Sequence, residues 1–149
     1  MGMTFFCWKC FNEVESLSGT CGSCGASQDS DHFTYSEKLR AALVHPLAET
    51  RRRAIFLIGE KRDAEAVDDL SQIIAAESDP FLAEEAAIAL GKISNEPALY
   101  ALTAAARHPS FMVRARALAA LREAGGYWTR LAHNWARSDP SAMVRRDQG

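Results

Sequence analysis

The chain has no apolar run approaching the ~20 residues a membrane-spanning helix needs. Its N-terminus lacks the basic-then-apolar layout of a secretion signal. Met1-Gly2 also misses the N-myristoylation pattern, because Phe6 stands where a hydroxyl residue is required. A cytoplasmic location is therefore expected. Catalytic signatures are missing too: there is no Gly-rich phosphate loop, no Gly-x-Ser-x-Gly and no His-Glu-x-x-His. Cysteine is scarce, and its four copies form two pairs with none left over for a disulfide. What remains is 48% apolar and 24% charged, a balance that folds rather than stays disordered. At 149 residues there is room for one ordinary domain and a small module.

The two cysteine pairs, Cys7-Trp8-Lys9-Cys10 and Cys21-Gly22-Ser23-Cys24, define that module. A CxxC turn lets two thiolates reach one tetrahedral ion, and a second turn completes a closed four-coordinate shell. Residues 3–25 are too few for a self-sufficient core, so a metal has to supply what packing cannot. Zinc is the expected ion, with iron in a four-thiolate site as the alternative. Gly19, Gly22 and Gly25 suit the turns, and Phe5, Phe6, Trp8 and Phe11 can cover one side of the metal. The run Cys21-Gly22-Ser23-Cys24-Gly25 resembles the CxxCG knuckle of the zinc-ribbon family, while Cys10-Phe11 departs from it at the glycine. Residues 26–34 are polar and read as a linker in which His32 is a solvated side chain.

From Tyr35 the chain repeats with a period of 31 or 32 residues. Val113, Ala117, Ala120 and Leu121 share one helical face, matched by Leu82, Ala86, Ala89 and Leu90, and before them by Thr50, Ala54, Leu57 and Ile58. Each such helix follows an X-Pro step: His45-Pro46, Asp79-Pro80, His108-Pro109 and Asp139-Pro140. Proline suits a first helical turn, and an aspartate before it can cap. Gly59 and Gly91 are expected to end the first two helices, and Gly125-Gly126 the third. A second helix follows each first one: Val67, Leu70, Ile73 and Ile74 correspond to Leu99, Leu102, Ala105 and Ala106, then to Trp128, Leu131, Asn134 and Trp135.

The segment Val113-Arg114-Ala115-Arg116-Ala117-Leu118-Ala119-Ala120-Leu121 resembles the short HEAT-like repeats of phycobilisome lyases and many bacterial scaffold proteins. The resemblance spans about Tyr35 to Arg146. Arg51, Arg114 and Arg145 hold its arginine position, and Ala83 interrupts it. The fold expected is all-α: a right-handed α-solenoid of HEAT-like helical hairpins over 35–149, behind a small N-terminal zinc-ribbon knuckle. A family of HEAT-like metal hydroxylases is marked by paired His-Glu dipeptides, and this chain has none.

Chemistry-bearing residues divide accordingly. Cys7, Cys10, Cys21 and Cys24 are the metal ligands. His45 and His108, each before a proline, read as loop or cap residues. Asp68 and Asp69 point about 100° apart on a helix and do not form an acid-base pair. In HEAT-like arrays the second helices line a partner groove, which makes Asp68, Asp69, Tyr100, Arg130, His133 and Arg137 the candidate contacts, with Glu37-Lys38 an earlier rung. Charge grades along the chain: residues 31–100 carry a net of -5, residues 101–149 a net of +5. Tyr127, Trp128 and Trp135 load the last complete helix with aromatic surface, to be covered by the stub after Pro140, a partner or a second copy. The reading is a non-enzymatic scaffold for an unidentified protein partner. A bilin-lyase-like accessory role and nucleic-acid binding through the arginine-rich end are the alternatives.

Overall fold

The computed structural model describes residues 4–76 and 78–146. Met3, at the start of the expected knuckle, and residues 147–149, at the end of the expected array, lie outside the described residues, as does Glu77. A two-stranded antiparallel hairpin comes first, β1 (Phe5–Phe6) and β2 (Glu13–Val14), with Phe5 opposite Val14 and Phe6 opposite Glu13. The helices that follow are α1 (Tyr35–Ala42), α2 (Ala48–Lys61), α3 (Val67–Ala76), α4 (Pro80–Ile93), α5 (Glu96–Ala105), α6 (Phe111–Glu123), α7 (Gly126–Arg137) and α8 (Ala142–Arg146). α2, α4, α6 and α8 pack in succession as one layer. α3, α5 and α7 lie against them as the second, and α1 pairs with α2 as a half-unit.

Local chemistry sets these boundaries. Thr34 and Glu37 close a capping box at α1, Asp79 accepts from the Phe81 amide at 2.9 Å, and Asn95 accepts from the Ala98 amide at 2.9 Å. Pro80 opens α4 itself, whereas Pro46, Pro109 and Pro140 stand just upstream of their helices. In two of those loops a histidine caps the turn: the Leu47 amide donates to Nδ1 of His45 (3.1 Å) and the Ser110 amide to Nδ1 of His108 (3.0 Å).

Gly59 and Gly91 do not end their helices. α2 runs on to Lys61 and α4 to Ile93, each closed by a left-handed residue, Arg62 (φ 51°) and Ser94 (φ 52°). The glycines are packing notches instead. A Cβ at Gly59 would stand 3.0 Å from Cα of Ala89, and one at Gly91 would stand 2.9 Å from Cβ of Ala120. The alanines one repeat later fill the space that the glycines leave, so successive first helices nearly touch along their backbones.

The second helices show another departure. α7 buries Ala132 and Ala136, while Leu131 is only partly covered and Asn134 is exposed. The alignment that fits is one residue later than the spacing suggests, with Ala98, Leu102, Ala105 and Ala106 answered by Trp128, Ala132, Trp135 and Ala136. Substituting alanine for leucine at the buried position weakened the pattern, and the tryptophans attracted the register to themselves. The stub forms α8, which rests on α6 and α7 with Val144 buried, while Tyr127 stays 60% exposed.

The repeat arginine closes the loop before its helix. Arg51 Nη1 donates to the carbonyls of His45 (2.9 Å) and Pro46 (3.2 Å), and Arg114 Nη1 to those of His108 (2.9 Å) and Pro109 (2.8 Å). Arg145 repeats the bond to the Asp139 carbonyl. Arg114 also makes a bidentate pair with Asp139, Nε to Oδ2 at 2.8 Å and Nη2 to Oδ1 at 2.9 Å, with side-chain exposures of 11% and 5%. Ala83, buried in α4, leaves that position without a ladder rung.

Three measurements probe this packing. Gly91→Ala is expected to lose about 1 kcal/mol in urea unfolding, because overpacking of about 1–3 kcal/mol outweighs the helix-propensity gain of about 1 kcal/mol. Adding Ala120→Gly should recover part of that loss; strict additivity of the two changes would refute the notch. Arg114→Ala should cost about 3 kcal/mol by stranding a buried carboxylate. The Arg114 hydrogen bonds hold the Asp139 carboxyl below its usual range, against a burial effect that acts the other way. Its stabilisation is therefore complete above the ordinary aspartate value near ~3.9 and is lost as pH falls through the lower folded value. The stability gap between wild type and Asp139→Asn should narrow as pH drops below about 4.

Candidate metal centre and interaction face

Two turns of the same design build the cysteine cluster. The Phe11 amide donates to the Cys7 carbonyl (3.0 Å) and the Gly25 amide to the Cys21 carbonyl (2.9 Å); the Cys7 and Cys21 amides then reach the Asn12 and Ala26 carbonyls, both at 2.9 Å. The residue after each pair sits in the left-handed region, Gly25 at φ 74° and Phe11 at φ 60°. Gly22 is not among the positive-φ residues. Phe11 thus takes the backbone shape that Gly25 takes in the second turn, at a cost of about 1–2 kcal/mol. Its ring offsets that cost: it is buried and stacks on Phe6 with centroids 4.5 Å apart.

The Sγ atoms of Cys7, Cys10, Cys21 and Cys24 all lie within 4.8 Å of one another, with Cys7 to Cys24 and Cys10 to Cys21 at 3.7 Å. A disulfide needs ~2.05 Å. A tetrahedron with metal–sulfur arms of ~2.3 Å has edges of ~3.8 Å, so the four thiols fit around one metal ion. Around Cys7, burial raises the thiol, but amides of Cys10 and Lys9 together with the Gln28 side chain outweigh it and bring it down to about 6. The Cys24 and Ser23 amides lower Cys21. Burial and the neighbouring sulfurs push Cys10 up to about 12. Four sulfurs this close cannot all ionise alone; a cation removes that conflict.

Part of residues 26–34, expected as a polar linker, packs into the module: Gln28 and the Asp31 side chain are buried, whereas Asp29, His32 and Thr34 are exposed. Thr20 bridges Ser27, and Gln28–Ser30 form a 3-10 turn. The buried Gln28 amide donates to Cys7 Sγ (3.4 Å) and to the Ala26 carbonyl (2.9 Å). Trp8 Nε1 donates to the Ser27 carbonyl (3.0 Å), and its ring stacks on Phe33 at 6.1 Å. Lys38 is not a groove rung either. It is buried on α1, pairs with Asp31 and donates from Nζ to the Phe6 carbonyl (3.2 Å). Sequence reasoning missed this contact, yet a signal was present. Lys38 lies three residues after Tyr35 and four before Ala42, on the apolar stripe of α1.

The candidate contacts fall on the second-helix layer. With the corrected alignment, Asp68, Tyr100 and Arg130 occupy equivalent positions on α3, α5 and α7, and Ala75, Arg107 and Arg137 form another row. All six are exposed. Tyr100 (60% exposed) meets Trp128 edge to face at 5.2 Å, and Tyr127 also meets it edge to face at 5.2 Å. The Arg107 guanidinium lies 4.9 Å over Trp135. Half-buried His133 lies on α7 between Arg130 and Arg137. Asp69 is engaged elsewhere, since Nε of Arg40 reaches it at 2.6 Å and ties α1 to α3.

Paired helices stacked repeat upon repeat define an α-solenoid. The HEAT-repeat family matches residues 36–122, and the chain belongs to it. The match runs from α1 into α6, so the cysteine hairpin, α7 and α8 lie outside it. No curated protein matches the chain.

Phe11 offers a test of the turn. Glycine there relieves the left-handed strain but gives up the ring, worth about 2–3 kcal/mol of burial, whereas alanine loses the ring and keeps the strain. The expected order of stability is Phe, then Gly, then Ala, about 1 kcal/mol separating the last two in chemical unfolding. Alanine above glycine would show that the position carries no strain.

Proposed function

We propose that this protein is a non-enzymatic interaction scaffold of the cytoplasm, whose HEAT array grips a protein partner on the α3, α5 and α7 face and whose head is stapled by structural zinc. The exposed row Asp68, Tyr100 and Arg130 carries the partner reading. It places an aromatic anchor beside a guanidinium, the pairing favoured at the energetic centre of interfaces. Among the described residues, Arg107, Arg130 and Arg137 pair with no carboxylate, which leaves them to an outside group. Protein fits better than nucleic acid because Trp128 is already engaged by Tyr100 and Tyr127, and Trp135 by the Arg107 guanidinium, so neither indole is an open stacking platform for a base.

Zinc is supported by the donor set. Four soft thiolates in tetrahedral reach leave no open position for substrate, which suits a structural role. Cys7, Cys10, Cys21 and Cys24 would hold the ion, and the ion would supply folding free energy rather than catalysis.

Elemental mass spectrometry of the purified chain should find one zinc per molecule, absent from Cys21→Ser; iron in its place would correct the ion. Affinity capture should recover a protein partner, and Tyr100→Ala with Arg130→Ala should reduce that recovery at least tenfold while circular dichroism stays unchanged. Equal capture by the variant rejects the face. Oligonucleotide retention that falls steeply with salt would replace the protein reading, and visible absorbance from a retained tetrapyrrole would favour a lyase-type accessory role.

A further inference from the structure

We infer that the cysteine module is a metal-locked lid, and that the α1–α2 face beneath it is a second interaction surface, suited to an acidic segment bearing aromatic rings. The inference rests on the metal reading above.

The underside of the lid is specific in its chemistry. Phe6 and Phe11 form a stacked pair, Phe6 lies 6.1 Å from the Tyr35 ring, and the Arg53 guanidinium stands 4.9 Å over Phe6. Asp31 pairs with Lys38 in a nearly dry contact, the side chains 4% and 6% exposed, and Glu13 pairs with Arg53 at the rim. Lys61 lies 5.7 Å from the Tyr35 ring. The lid therefore offers two rings and two carboxylates, and the face answers with Tyr35, Lys38, Arg53 and Lys61. Charge complementarity of this kind sets which segment the face accepts.

The docking groups cannot hold their places without the ligand cluster. Phe6 adjoins Cys7 and Phe11 adjoins Cys10; the Phe11 amide bonds the Cys7 carbonyl, and the buried Gln28 bonds Cys7 Sγ just ahead of Asp31. Two strands of two residues and one 3-10 turn bury too little to fold alone. Losing the ion thus dissolves the elements that carry both rings and both carboxylates. The array depends on it less: Phe6 and Phe11 join the N-terminal edge of the apolar core, but the buried residues of α2, α4, α5 and α6 that continue it are supplied by the array itself. Lys38, freed of Asp31, then faces water rather than a dry pocket, so opening strands no charge.

The test uses the full chain, loaded with zinc or stripped by a chelator, followed by hydrogen exchange. Stripping should raise exchange across α1 at least tenfold, a local opening, while α4 and α6 keep their protection. A synthetic peptide with two phenylalanines and two aspartates should bind the stripped chain and not the loaded one. In Lys38→Met the zinc should stay bound while α1 loses protection. Loaded and stripped chains with equal α1 protection overturn the lid, and so does a chain purified without metal whose α1 is already protected; peptide binding to neither form, or equally to both, overturns the surface. A zinc-free chain defeats the metal reading as well, whereas a zinc-loaded chain with an indifferent α1 defeats only the lid.

Discussion

Backbone-close contact between successive first helices is the constraint on which the molecule depends. Where α2 meets α4 and α4 meets α6, a glycine on one helix faces an alanine on the next, and the gap would not admit one more carbon without movement. Such a seam sets the spacing of the repeats, and the spacing sets which second-helix positions become neighbours in solvent. Tyr100 reaches Trp128 because α5 and α7 are carried at that separation by α4 and α6. Larger residues at the seam would spread the rows on the opposite layer. The exposed face of α3, α5 and α7 is thus a product of packing on the side it does not occupy.

The loops obey a second economy. A helix start leaves amides unpaired and a loop leaves carbonyls unpaired. Proline removes one amide, histidine Nδ1 accepts another, and the repeat arginine collects the loop carbonyls. Where alanine replaces that arginine, at Ala83, the helix begins directly on Pro80 and Asp79 accepts from the Phe81 amide. The shorter connection has fewer carbonyls to collect. Substitution at one position and shortening at another are the same adjustment seen twice.

This explains what could be read beforehand. Helix pairs, their X-Pro boundaries and the four thiols were legible because each is written in local spacing: a period of 3.6, a fixed dihedral, a two-residue turn. Gly59 and Gly91 misled because glycine has two meanings, an end signal and a close-approach signal, and only the neighbouring helix distinguishes them. The α7 register slipped because tryptophan looks like core, while the buried positions belong to Ala132 and Ala136. Packing of residues 26–34 was hidden for a different reason: Gln28 and Asp31 are polar, and polar residues look solvated until their partners, Cys7 and Lys38, are brought from elsewhere in the chain. The exposed rows were legible as candidates only, since burial of α3, α5 and α7 had to fix the alignment first.

The same reasoning reassigns the hairpin. Had its aromatics merely shielded a metal, Phe6 and Phe11 would face the sulfurs and the array would begin independently at Thr34. Instead the rings are part of the core that continues into α1, and the deepest ionic contact near the N-terminal end, Lys38 with Asp31, crosses the junction. A solenoid must end in something that satisfies its last apolar layer. α8 does this at one end with a single amphipathic turn on α6 and α7. At the other end the task falls to the cysteine hairpin, whose Phe6 and Phe11 close the core over α1 and whose two strands of two residues are too short to hold that position by hydrophobic burial alone.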